Sequence, residues 1–135
     1  MKKTLVSLIL TALCLTGCQL LGGKRDETID VGPLQKEYKK SKEETRAKYN
    51  GKDATILGAV LSAQILGDTA HIRVGSQTDS ELIGAESVKC VVDKQDLGTV
   101  SDVKEKQAIR VKGILFVDES GMELKSCKRI ALTDY

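Results

Sequence analysis

The chain has no tryptophan, one phenylalanine and one histidine in 135 residues. Aromatic residues make up 3% of it, so any core must rest on Val, Ile, Leu and Ala. The stacked aromatic platforms that grip single-stranded nucleic acid are correspondingly scarce. There is no internal repeat and no low-complexity tract, and no phosphate-cradling glycine loop or nucleophile elbow stands out. Metal-ligand spacing is missing too: a closed zinc site needs four ligands, and only His71 could join the cysteines. No metal, cofactor or catalytic residue is therefore assigned, and the chain is not expected to be an enzyme. With 41% hydrophobic and 30% charged residues the composition is globular, and the length suits one small domain plus accessory segments.

What is present begins with an address. Met1-Lys2-Lys3 is followed by a short apolar run, residues 4–13, which has the basic start and hydrophobic middle of an export signal. The run is too short to span a bilayer stably. It closes on Leu15-Thr16-Gly17-Cys18, which resembles the lipobox of bacterial lipoproteins: an aliphatic residue, two small ones, then cysteine. The resemblance implies cleavage after residue 17 and a diacylglycerol-bearing Cys18 as the first mature residue. An ordinary signal peptide or an N-terminal membrane helix that happens to carry a cysteine is the plainer alternative. Cys14 follows the bulky Leu13 and would leave with the leader. Acyl chains contribute about 0.8 kcal/mol per buried methylene, enough in pairs to hold a small domain at a membrane. Gln19, rather than Asp, follows the cysteine. In a Gram-negative host the lipoprotein sorting rule would then send the protein to the outer membrane, facing the periplasm. Lys2 and Lys3 are two of the 21 basic residues; without them 19 remain against 19 acidic ones. That balance argues against a phosphate-tracking protein, which needs a basic surplus.

The mature chain divides at residue 33. Residues 18–32 form a lipidated cysteine and a glycine-containing tether, and residues 33–135 the folded domain, with Pro33 at a first helical position. Residues 34–49 are rich in Lys, Glu and Gln, with Leu34, Tyr38, Thr45 and Tyr49 spaced along one helical stripe that packs on the domain. Asn50-Gly51 stops this helix. Beyond Lys52 the periodicity becomes strand-like. Strands are expected over 54–63, with a bulge or bend at Gly58, and over 69–74, 87–92, 107–117 and 122–132. Leu97, Val100 and Val103 recur at three-residue intervals in the one sizeable connection, as in a short helical turn. Five strands in this arrangement suggest a small closed barrel.

Several pieces of this pattern resemble the tRNA-anti-like branch of OB-fold domains, found in small bacterial lipoproteins. They are the charged helix running into Tyr49-Asn50-Gly51-Lys52, the glycine-containing strand Ile56-Leu57-Gly58-Ala59-Val60, Ser87-Val88-Lys89-Cys90, Ile109-Arg110-Val111-Lys112-Gly113, and Leu124 to Ile130. The resemblance covers residues 34–133 and implies a mainly β, five-stranded OB-fold barrel preceded by an N-terminal α-helix. One departure stands out: the family commonly has a Gly-Asp turn before the fourth strand, where this chain has Lys104-Glu105-Lys106. OB folds serve many unrelated roles, so function does not transfer with the fold.

In the OB arrangement the third and fifth strands are neighbours, which brings Cys90 and Cys127 together. Export to an oxidising compartment makes a disulfide the first expectation. Strand parity opposes it. Cys90 is in phase with Val88 and Val92, whereas Cys127 is out of phase with Met122 and Leu124, so regular strands would point the pair to opposite sides. A bulge near Ser126 would restore the bridge; without one both remain free thiols.

The outward strand positions carry His71, Arg73, Lys89, Arg110, Lys112 and Lys125. These are either the solvated face of a small barrel or an anion-recognising patch on the face where OB folds commonly bind. The expected function is a membrane-anchored, non-enzymatic binding or interaction module of the cell envelope. Its partners would be the membrane through Cys18 and an envelope protein or anionic ligand. The alternatives are a structural envelope component acting through protein assembly, and a nucleic-acid-binding OB domain.

Overall fold

The computed structural model describes residues 27–77 and 86–132. Leader, Cys14, Cys18 and most of the tether lie outside the described residues, as does the C-terminal end of the domain after residue 132. The described chain forms β1 (Thr28–Asp30), α1 (Val31–Lys40), α2 (Lys42–Tyr49), β2 (Lys52–Leu66), β3 (Thr69–Gly75) and β4 (Val88–Val92). A 3-10 helix at Lys94–Thr99 then leads to β5 (Ala108–Asp118) and β6 (Gly121–Ile130).

Strands β2 to β6 close into a barrel in the order β2-β3-β4-β6-β5, with β5 returning to β2. All these pairings are antiparallel except β4 with β6. The alternation is clean in β5, where Ile109, Val111, Leu115 and Val117 are buried between partly exposed neighbours. The core is the aliphatic one that the composition demands; the single phenylalanine, Phe116, stands on the outward parity of β5.

Three local expectations need correction. The single helix is two, broken at Ser41, because Ser41 adopts extended backbone and its Oγ accepts the Glu44 N–H at 3.2 Å. Ser41-Lys42-Glu43-Glu44 is a capping-box sequence, and it wins over helix continuation. Order also starts before residue 33: Thr28–Asp30 pairs in parallel with Thr55 to Leu57, and α1 opens at Val31, which is 1% exposed. A hydrophobic residue facing the barrel outweighs the flexible composition around it. Finally, the irregularity in β2 is a register shift between Val60 and Ser62, not at Gly58. Gly58 is instead a point of close approach, where an added Cβ would lie 2.5 Å from the Gly75 carbonyl oxygen and 3.0 Å from Val31 Cγ2.

The helix stripe packs as expected, with Leu34, Tyr38 and Thr45 buried and Tyr49 packed against the core. Tyr38 also donates its hydroxyl proton to the Asp118 carbonyl at 2.7 Å, tying α1 to the β5–β6 turn. Burial first, then the nearby charges of Asp118, Glu119 and Glu86, push its pKa up. The Asn50 side chain accepts the Val117 N–H at 2.9 Å, so the helix stop is fixed onto β5.

Candidate binding face

The shallow concavity beside β3 and β4 has a volume of about 240 Å³ and is lined by Arg73, Ser87, Lys89, Asp118, Ser120, Gly121, Met122 and Glu123. It is assembled by register. Arg73 on β3 lies directly opposite Lys89 on β4, and Lys89 lies opposite Glu123 on β6. Two like charges side by side on neighbouring strands repel by a few tenths of a kcal/mol or more unless something compensates. Glu123 flanks Lys89, and the Arg73 guanidinium donates to Ser87 Oγ at 3.1 Å. The arrangement can hold an anionic group over Arg73 and Lys89 while Glu123 accepts a donor from the same ligand.

The rim is set by the β5–β6 turn. One carboxylate oxygen of Asp118, Oδ1, accepts the Ser120 hydroxyl at 2.6 Å, the Ser120 N–H at 2.8 Å and the Gly121 N–H at 3.1 Å. The Ser120 hydroxyl, followed by its backbone N–H, holds the Asp118 pKa below the usual carboxylate range. Asp118 therefore shapes the concavity as a charged turn residue.

The six basic residues do not form one row. His71, Arg73 and Lys89 share the β3–β4 surface, His71 opposite Val91, and Lys125 stands on β6 two positions beyond Glu123. Its ammonium lies 4.8 Å from the centroid of the Phe116 ring. Arg110 and Lys112 stand on β5, opposite Leu57 and Thr55 of β2. Arg110 is committed to structure: it donates to Thr28 Oγ1 at 3.0 Å and to the Ala131 carbonyl at 3.1 Å, pinning β1 against the barrel. The sequence marks Glu119-Ser120-Gly121 as a turn and Ser87 as the start of a strand, but it assigns neither of them, nor Asp118 or Glu123, to a binding face. Only strand register places them beside Arg73.

Cys90 and Cys127 form a disulfide with α-carbons 5.5 Å apart, and both are fully buried. Among the described residues no group of three His, Cys, Asp or Glu side chains could hold a metal ion, and no helix is long and apolar enough to cross a membrane.

No family model matches the sequence, and no curated protein matches it. Solved structures do. A candidate nucleic-acid-binding lipoprotein from Klebsiella pneumoniae subsp. pneumoniae superposes with a TM-score of 0.66 at 11% identity, covering 78% of this chain and 92% of that one. A candidate aspartyl-tRNA synthetase from Leishmania major Friedlin superposes at 0.52 and 13% identity, over 82% of this chain and 22% of that one. The OBody AM2EP06, solved bound to hen egg-white lysozyme, superposes at 0.51 and 15% identity, over 70% and 92%. These identities speak for the fold alone: the domain is a closed five-stranded OB-fold barrel preceded by helices.

Proposed function

We propose that this chain is a lipid-anchored envelope protein, held through Cys18, whose OB-fold barrel is a non-enzymatic module that binds an anionic ligand or partner on the β3–β4 face. The observation that carries the binding reading is the juxtaposition of Arg73 and Lys89 over a concavity rimmed by a fixed turn. The anchor reading rests on the basic leader and Leu15-Thr16-Gly17-Cys18. It is supported by the buried disulfide, which suits an oxidising compartment, and by the occurrence of this fold in a Klebsiella lipoprotein. In a Gram-negative host, Gln19 after the cysteine supports an outer-membrane location facing the periplasm, by the lipoprotein sorting rule.

Two measurements test this. Cys18→Ala should abolish fatty-acid labelling and leave uncut precursor or released protein; labelling that persists overturns the anchor. Cross-linked capture from native envelopes should yield a partner or ligand with the wild-type chain and lose it with Arg73→Ala/Lys89→Ala, the disulfide staying intact in both. Undiminished capture by the double variant overturns the face. Tight, salt-sensitive binding of a single-stranded oligonucleotide that the double variant loses would replace the reading by nucleic-acid recognition.

A further inference from the structure

Away from the β3–β4 concavity, one stretch of barrel wall combines apolar and basic side chains. On the outward parity of β5, Arg110, Lys112, Ile114 and Phe116 alternate with buried core residues and are all partly exposed. Register lays β6 beside them, with Lys128 opposite Lys112, Lys125 opposite Ile114 and Glu123 opposite Phe116. Lys125 and Lys128 are exposed, and the Lys125 ammonium stands over the Phe116 ring, 4.8 Å from its centroid. Ile114 and Phe116 are thus an apolar centre framed by Lys112, Lys125 and Lys128. Asp53, opposite Ile114 on β2, and Glu123 border it.

The chain from Cys18 arrives on this same wall. β1 lies along the edge of β2 away from β5, with Thr28 level with Thr55, and Thr55 is opposite Lys112. Arg110 reaches across β2 to donate to Thr28 Oγ1 at 3.0 Å, so the outer surfaces of β1, β2 and β5 are continuous. Eight residues separate Cys18 from Glu27. Even fully extended, they keep Glu27 within about 30 Å of a lipid-bearing Cys18.

We infer that the outer face of β5 and β6 is the side this protein lays on an anionic phospholipid surface, with Ile114 and Phe116 at the headgroup boundary and the three lysines against headgroup phosphates. The inference rests on the anchor at Cys18. Lysine stems lie along apolar surface while their ammonium groups stay in the polar layer, and phenylalanine and isoleucine enter the boundary with the acyl chains. Each lysine near an anionic bilayer strengthens docking roughly five-fold, and the anchor makes the contact intramolecular, so a small patch suffices. Within the barrel β5 pairs with β2 and β6 alone, which puts β3 and Arg73 on the far wall, away from the bilayer. The two faces meet on β6, where Glu123 stands between Lys89 and Phe116. Ile65 and Leu66 are more exposed but fit such a surface less well. They end β2 far from the Thr28 pairing, beside Asp68, and no lysine occurs between residues 53 and 88.

The chain contains no tryptophan, so Phe116→Trp is a single fluorescent reporter. Full-length lipidated protein carrying it should float with phosphatidylcholine vesicles, with or without phosphatidylglycerol. With phosphatidylglycerol its emission should shift to the blue and be quenched by brominated acyl chains; without it, or at raised salt, most of the quenching should be lost. Leu66→Trp should stay unquenched on the same vesicles. Adding Lys125→Ala/Lys128→Ala should weaken docking of the reporter roughly five-fold for each lysine removed, with flotation and the Cys90–Cys127 bridge unchanged. In native envelopes a photoreactive phenylalanine analogue at position 116 should label phospholipid. Flotation with an unquenched Phe116→Trp reporter, quenching at Leu66→Trp instead, or photo-labelling of protein and no phospholipid overturns the inference and leaves the anchor standing. Failure to float overturns the anchor, and the inference with it.

Discussion

Cys127 faces Cys90 because Ser126, the residue before it, adopts φ +50°. Along β6 the buried positions run Met122, Leu124 and then Cys127, with Lys125 and Ser126 both exposed. On β5 the register passes from Lys112 opposite Lys128 to Ile114 opposite Lys125, so β6 carries one extra residue there. That one-residue insertion, with Ser126 in left-handed backbone, shifts the phase of the strand and brings the thiol inside.

The bridge spans a sequence separation of 37, for which the chain-entropy model gives about 3–4 kcal/mol. Reduction under partly denaturing conditions should therefore lower Tm by about 10–20 °C in a domain of this size. Because the two sulfurs are bonded to each other and offer no thiolate, Cys90 and Cys127 should resist alkylation without reductant even after unfolding, which mass spectrometry of labelled peptides checks. Ser126→Gly should be neutral or stabilising, since glycine adopts φ +50° freely; Ser126→Val should destabilise by about 1–2 kcal/mol.

Gly113 sits across from this bulge. A Cβ there would lie 2.5 Å from the Lys125 carbonyl oxygen and 2.9 Å from Leu124 Cγ, so Gly113→Ala pushes against backbone that cannot yield cheaply. It should cost about 2–3 kcal/mol in chemical denaturation. Gly51→Ala is the contrast: φ is +76° with open space around it, and the cost should stay near 1 kcal/mol.

Arg110 holds β1 against the barrel through Thr28 Oγ1. Arg110→Ala should leave global stability within about 0.5 kcal/mol, as surface changes usually do, yet raise amide exchange across residues 28–30 roughly ten-fold. Unchanged protection of that segment would show that the parallel pairing with β2 suffices without the guanidinium.

Asp118 gives the turn an acid dependence. Its pKa is lowered in the folded protein, so its contribution is present above the ordinary carboxylate value and is lost as pH falls through the lowered one. Wild type should be more stable than Asp118→Ala at pH 7, and the gap between their melting temperatures should close only as pH falls through and below the ordinary carboxylate range. A gap that is constant with pH would assign the turn's stability to shape alone.

Residue order by itself determined the aliphatic core, the helix-to-strand change after Asn50-Gly51, the barrel with its strand spacing, and the requirement that any Cys90–Cys127 bridge needs a bulge near Ser126. Those features depend on local periodicity and turn chemistry, which neighbours in sequence carry. Tertiary structure decided whether the bulge forms, because it is fixed by the pairing of β6 with both β4 and β5 and by the absence of a side chain at Gly113. It also separated the basic residues. Parity alone puts Arg73 and Arg110 on equal terms, but register sets one beside Lys89 over a concavity and ties the other to Thr28 and Ala131. The same holds for the break at Ser41 and the early start at Val31, where a cap and a buried contact override composition. Long-range register is written in no short stretch of sequence; it is the minimum-energy closure of the whole barrel.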